Sequence, residues 1–190
     1  MDAYTALKDS LAAYLPIPPD QWLQFVRYLN VRNLKADEVY YSQGQKYEEI
    51  GFVVKGLVYN FYSNDKGEEF VKNFVAEGST VASYMSVVRE LPAVYSCVAV
   101  EDTHLVTVKY SDLKKLYESH SCWERLGRLN AEECLFETEQ REQQLLMMNA
   151  TERYELFMKQ NAALANRLPQ YLIASYIGVS PVTLSRIRGK

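Results

Sequence analysis

The residues whose types and spacing bear most directly on chemistry lie in the last twenty-one positions, Gln170 to Lys190. Thr183, Ser185, Arg186 and Arg188 bring hydroxyls and guanidinium groups together in one short segment, flanked by Gln170, Tyr171, Ser180 and Lys190. Such groups contact phosphate oxygens, and a guanidinium also reads the paired acceptors of guanine in the major groove. Arg186 is therefore expected to read a base, with Ser185 and Thr183 beside it, and Arg188 to touch phosphate. The same segment also fits an ordinary helical hairpin with a solvated basic face. What separates the two is whether the flanking residues can aim it.

The flanking residues have the spacing of a helix-turn-helix. Ile173, Ala174 and Ile177 set two large apolar groups and a small one on one face of a first helix. Gly178 follows, where the chain can adopt the left-handed conformation that ends a helix. Val179 packs the turn, Ser180 is an N-cap and Pro181 takes the first helical position. Leu184 and Ile187 turn a second short helix back onto the first, which leaves Thr183, Ser185, Arg186 and Arg188 outward.

Charge agrees locally. The chain has 21 Lys and Arg against 24 Asp and Glu, a net charge of −3. After Glu155 no acid remains, while Lys159, Arg167, Arg186, Arg188 and Lys190 do. A basic tail on an acidic body is the footprint of a small element that faces nucleic acid. So few cations bind a duplex weakly as a monomer, which points to two copies acting together.

Other chemistries find little support. Cys97, Cys122 and Cys134 are an odd set without CxxC spacing and read as free thiols. His104 and His120 are the only histidines, too few for the clustered ligands of a cupin-type enzyme with a β-roll. No catalytic residues, no metal site and no cofactor are expected, and the chain reads as a non-enzyme. The N-terminus lacks a secretory pattern and no apolar run is long enough to span a bilayer, so a cytoplasmic protein without membrane attachment is expected.

The expected fold class is α+β. Leu7, Leu11 and Tyr14 mark a helix over 2–14, and Trp22, Phe25, Val26 and Leu29 a second over 20–29. From about Asn33 the period changes to two, with strands at Val39–Tyr41, Ile50–Val54, Leu57–Tyr62, Phe70–Phe74, Tyr95–Val100 and Leu105–Lys109. Short strands at regular intervals with glycine turns argue for an antiparallel β-roll closed as a jelly roll. Ser111 opens a helix carrying Leu113 and Leu116. A long helix from Cys122 to Met148 follows, whose seam of Cys122, Leu126, Leu129, Glu133, Phe136, Gln140, Gln143 and Met147 is apolar at five of eight sites. That seam fits either a homodimer helix or a helix packed on its own β-domain. The division is 1–118 for a sensor β-roll, 119–148 for the connecting helix and 149–190 for the DNA-binding unit.

This order of parts resembles the Crp–Fnr family of bacterial transcription regulators. The most specific stretches are Ala150-Thr151-Glu152-Arg153-Tyr154, Leu168-Pro169-Gln170-Tyr171 and the run from Ile173 to Arg188. The resemblance implies a cyclic-nucleotide-binding-like sensor, double-stranded DNA and a second copy of the chain as partners, and contact with RNA polymerase. Three departures qualify it. Val182 stands where the family's recognition helix commonly has an acid, so the usual half-site is not implied. In the stretch Ser83–Ser96, Tyr84 falls near the family's ribose-binding glutamate and Val94 near its phosphate-binding arginine, so cyclic AMP is not the expected effector. An unidentified small-molecule effector in a pocket of Tyr84, Met85, Arg89, Val94, Tyr95 and Ser96 is one expectation, and a filled core is the other. The sequence stops at Lys190, so no wing is expected beyond Arg188, and Gln170, Tyr171 and Lys190 are assigned to phosphate anchoring. The alternative function is a non-catalytic β-roll module for ligand or protein binding without effector-regulated DNA binding.

Overall fold

The apolar spacing of the N-terminal segment folds as two short helices laid on one end of a β-roll. A computed structural model describes residues 2–189. Helix α1 (Ala3–Ala12) buries Leu7 and Leu11, and α2 (Pro19–Val26) opens on a proline where no backbone donor is lost. Tyr14, expected on the buried side of α1, is exposed, because the helix ends before it; Leu15 is buried instead. Trp22, Phe25 and Leu29 share a core with Phe52, Leu116 and Trp123, and the rings of Phe25 and Trp123 lie 4.7 Å apart.

Eight strands form two four-stranded antiparallel sheets. One runs β1 (Asn30–Leu34), β8 (Thr103–Lys109), β3 (Glu49–Lys55), β6 (Thr80–Val81). The other runs β2 (Val39–Tyr41), β7 (Ser96–Ala99), β4 (Leu57–Ser63), β5 (Glu69–Ala76). The six expected strands are all present. The two unexpected ones, β1 and β6, are a polar edge strand and a two-residue strand, and neither has an apolar period to show. Gly56, between β3 and β4, has φ +99°, and a β-carbon there would stand 2.4 Å from Thr103 Oγ1. Only glycine closes that hairpin.

Tyrosine fills the inside of the roll. Tyr40, Tyr41 and Tyr47 lie with ring centroids 5.0–5.5 Å apart, and Tyr95 is 6.0 Å from Tyr41. Tyr41 donates to Asn60 Oδ1 at 2.8 Å, and Asn60 Nδ2 donates to Asn73 Oδ1 at 2.9 Å. Burial raises the phenols of Tyr40 and Tyr41, so both stay neutral.

Helix α3 (Tyr84–Arg89) crosses between β6 and β7, and α4 (Tyr110–Ser119) leads to α5 (Ser121–Met147), which at 27 residues is about 40 Å long. Its start is buried at Cys122 and Trp123. Gly127 lets Tyr117 lie against the helix, since a β-carbon would come within 2.9 Å of the phenol oxygen. Further along, Phe136 is 55% and Met147 78% exposed, so the chain's own β-domain does not cover the seam there. Helices α6 (Ala150–Gln160), α7 (Ala162–Ala165), α8 (Gln170–Ile177) and α9 (Pro181–Arg188) complete the chain. Among the described residues, no helix is long and apolar enough to cross a membrane.

The packing at Gly51 yields a test of the filled interior. A β-carbon on Gly51 would lie 2.7 Å from Tyr40 Oη and 3.0 Å from Val81 Cγ1. Gly51→Ala is expected to cost about 1–3 kcal/mol by overpacking. Adding Tyr40→Phe, which removes the struck oxygen, is expected to recover part of it in urea denaturation. Additive losses in the double variant would contradict the packing described.

Candidate nucleic-acid interface and the groove behind it

Helix α8 buries Leu172, Ile173, Ala174 and Ile177, the face that the spacing assigned to the core. It ends at Gly178, in the left-handed conformation (φ +75°, ψ +40°). The amides of Gly178 and Val179 return to Ser175 O and Ala174 O at 3.1 and 3.0 Å, closing the turn. Ser180 then caps α9 by accepting from the Thr183 amide at 3.2 Å, with Pro181 next. Leu184 is buried and Ile187 half-buried, both on the inner side.

What remains outside is the polar set. Ser185, Arg186 and Arg188 are exposed, as are Gln170, Tyr171 and Ser180. Thr183 is half-buried, its hydroxyl 3.0 Å from Ser180 Oγ. Arg188 donates to Gln170 Oε1 at 2.9 Å, bringing two of the assigned phosphate contacts side by side. Lys190, another of them, lies outside the described residues.

Two arginines that read as surface charge in the sequence seat the head. The last carbonyls of α8 have no intrahelical partner. Arg153 Nε donates to Ile177 O at 2.7 Å, and Arg141, on α5, donates to Tyr176 O while stacking 4.0 Å above the Tyr176 ring. Cations there also oppose the negative end of the helix dipole. Arg141 thus ties the long helix directly to the head.

The head shares a core with the β-roll. Phe157, Leu168, Leu172, Ile173 and Ile177 pack with Leu57, Tyr59, Phe61, Val71 and Val98. Strand β5 is a sheet edge, and Ser175 satisfies part of it: its hydroxyl accepts from the Val71 amide at 2.9 Å and donates to Glu69 O at 3.2 Å. Arg167 spans two acids of the roll, donating to both oxygens of Glu77 at 2.9 Å and to Glu101 Oε1 at 2.6 Å. Burial on its own would raise the Glu77 carboxyl. Hydrogen bonds from Arg167, its own amide and the Gly56 amide outweigh that and hold it below the usual carboxylate range.

The expected effector residues are scattered. Met85, Arg89 and Val94 are exposed, and Ser96 is buried, accepting from the Gln43 amide at 2.9 Å. Tyr95 turns inward to donate to Ala82 O at 2.8 Å, and burial raises its phenol to about 12. Of the six, Tyr84 and Tyr95 line a groove of about 1000 Å³ between β5 and α5, and the other four do not. Its walls include Lys72, Cys134, Glu137, Arg141 and Tyr176. The sequence reading missed these because the groove joins a strand to a helix more than sixty residues away. Among the described residues no three His, Cys, Asp or Glu side chains converge to hold a metal ion.

Residues 31–120 match the family described as the cyclic nucleotide-binding domain. FixK2 from Bradyrhizobium japonicum has a TM-score of 0.74 at 22% identity, over 85% of this chain and 83% of its own. The c-di-GMP responsive global regulator CLP from Xanthomonas campestris has a TM-score of 0.75 at 14% identity, over 90% of each chain. The catabolite activator protein of Thermus thermophilus has a TM-score of 0.60 at 20% identity, over 95% of this chain and 85% of its own. No curated protein matches in sequence.

Two tests follow from this geometry. Leu184→Ala is expected to lose about 2–5 kcal/mol of stability, whereas Arg186→Ala is expected to stay within about 0.5 kcal/mol of the parent; equal losses in denaturation would mean Arg186 is structural. The Arg167 clasp gives a pH dependence. Because Glu77 is depressed in the folded chain, its contribution is intact above the ordinary carboxylate range and is lost as pH falls through its lowered value. Small-angle scattering should show the head loosening on acidification and, at neutral pH, in Arg167→Ala. Superimposable curves for variant and parent at neutral pH would remove the clasp.

Proposed function

We propose that this chain, which joins a cyclic nucleotide-binding domain to a long helix and a helix-turn-helix head on the fold of the Crp–Fnr regulators, is a sequence-specific DNA-binding transcription regulator acting as a homodimer. The observation that carries this reading is the head itself. Gly178 and the buried Leu184 leave α9 only one free side, and that side bears Ser185, Arg186 and Arg188. A helix of this length presenting donors on one side fits the major groove.

The dimer is supported by α5. Its seam residues Phe136 and Met147 are exposed and stand among charged neighbours on the helix. A second copy laid along it buries those groups and sets two heads on one duplex. The separation required is about 34 Å, one turn of B-DNA. The reading is of a non-enzyme working in the cytoplasm, with Cys97, Cys122 and Cys134 as free thiols.

The same reading departs from cyclic nucleotide sensing. Val94, at the position that resembles the phosphate-binding arginine, brings no charge, and Arg89 stands in solvent at the end of α3. The interior is filled by Tyr40, Tyr41, Tyr47 and Tyr95. A cyclic phosphate would find neither a guanidinium nor room inside the roll. Signals are expected instead to act on how α5 and the head sit against β5.

Random-site selection with the purified protein should return a two-fold symmetric sequence with half-sites one helical turn apart. Arg186→Ala is expected to cost about 1–3 kcal/mol at a single base pair and to relax specificity there. Phe136→Glu, which sets a charge in the proposed dimer seam, should yield a monomer by light scattering and lose most duplex affinity. Selection of no consensus sequence, or a monomer that binds the selected site as well as the parent does, would refute the proposal.

A further inference from the structure

The groove between β5 and α5 has walls of opposite charge that make no direct ion pair among the described residues. Lys72, on β5, is half-buried, with its Nζ 5.3 Å from the Tyr95 ring centroid, and no carboxylate lies within ion-pair distance of it among the described residues. Burial lowers its ammonium, against the opposing influence of Cys134 and Glu137. Glu137 stands on the opposite wall, on α5, also without an ion pair among the described residues, and burial together with Glu133 pushes its carboxyl up, against the opposing influence of Lys72. Lysine in this position is costly without a partner, since a half-desolvated cation gives up hydration and gets back only a ring face. The groove is also lined by the rings of Tyr62, Phe70 and Tyr95. Tyr62 meets Tyr95 edge-on at 5.7 Å, so these rings form a continuous surface beside the amine.

An occupant must therefore bring an anion for Lys72, a cation for Glu137 and an apolar body for the rings. A volume of about 1000 Å³ leaves room for one small molecule and water. A purely anionic ligand would answer Lys72 and be repelled by Glu137; a purely cationic one would do the reverse. We infer that the groove is a binding site for a free amino acid with an apolar or aromatic side chain, its carboxylate on Lys72, its ammonium on Glu137 and its side chain on the rings of Tyr62, Phe70 and Tyr95. The molecule carries no net charge into the groove, and its carboxylate and ammonium each meet a group that makes no direct ion pair among the described residues.

The position gives such a ligand leverage. The groove continues along α5 to Arg141 and onto the head at Ser175, Tyr176 and Gly178. Those residues are the contacts that seat α8 against α5 and β5. A ligand wedged between β5 and α5 favours whichever arrangement of strand, helix and head holds it better. The regulatory sense of the site rests on the DNA-binding function proposed above; its ligand chemistry does not.

The test is calorimetry on the full chain with L-tyrosine, L-phenylalanine and L-leucine, beside tyramine and 3-(4-hydroxyphenyl)propionate, which lack the carboxylate and the amine in turn. At least one amino acid should bind. The tyrosine analogues should bind at least about ten-fold more weakly than tyrosine itself, or not at all. Lys72→Met and Glu137→Gln should each abolish or weaken binding by a similar factor, while Lys35→Met, on an exposed ion pair far along the chain, should leave it unchanged. Duplex binding by fluorescence anisotropy is measured on the same samples. Absence of amino-acid binding with duplex binding intact overturns this inference alone, and so do analogues that match the amino acid or a Lys72→Met variant that binds normally. Amino-acid binding without duplex binding sustains the site and removes the DNA-binding function.

Discussion

The left-handed turn at Gly178 is the constraint on which the rest depends. It sets the direction in which α9 leaves α8, and with Leu184 buried it leaves only one side of α9 to solvent. Any residue with a β-carbon is strained at φ +75°. The turn is held from outside as well as within. Arg153 and Arg141 satisfy the carbonyls of Ile177 and Tyr176 just before the glycine, so the end of α8 is fixed to α6 and α5 together. The geometry of the reading side therefore follows from a backbone conformation, two guanidinium groups and one apolar face. The outward residues Ser185 and Arg186 take no part in these contacts, which leaves them free for chemistry.

The head is not an independent bead on a linker. Its apolar face covers the outer side of the sheet that ends in β5, and Ser175 occupies backbone groups that an edge strand would otherwise offer to another chain. Arg167 adds a clasp at the other end of the contact, to Glu77 and Glu101. The α5 helix, anchored at its start by Trp123, meets the same head through Arg141. The β-roll, the long helix and the head thus converge on one region, and the groove lies where the three meet. A change in any one of these contacts alters how the head sits.

What the sequence revealed follows from how local each signal is. The helix-turn-helix was legible because its spacing, glycine and cap all fall within a score of consecutive residues. Six strands were legible from their period, whereas β1 has only one buried residue and β6 is two residues long. The ends of helices were less clear: Tyr14 continues the α1 stripe in sequence and lies beyond the helix in space. The effector residues were placed by resemblance within a single stretch. Four of those six do not line the groove, because α3 and the following loop turn Met85, Arg89 and Val94 outward and Ser96 is used to hold the Gln43 amide. Lys72, Glu137 and Arg141 look in sequence like solvated charges on a strand and a helix, and Arg167 counts there toward a basic tail facing nucleic acid, whereas it is taken up by Glu77 and Glu101. Only tertiary contact makes them wall, clamp and clasp.

The most direct test of the central claim is dimethyl sulfate protection of guanine N7 on a duplex carrying the selected sequence. That atom lies in the major groove, so the reagent reports where α9 sits rather than merely whether the protein binds. The account predicts two protected major-groove patches on one face of the duplex, one helical turn apart, with one patch for each head. A single protected patch, or bound duplex with its guanines fully reactive, would contradict it.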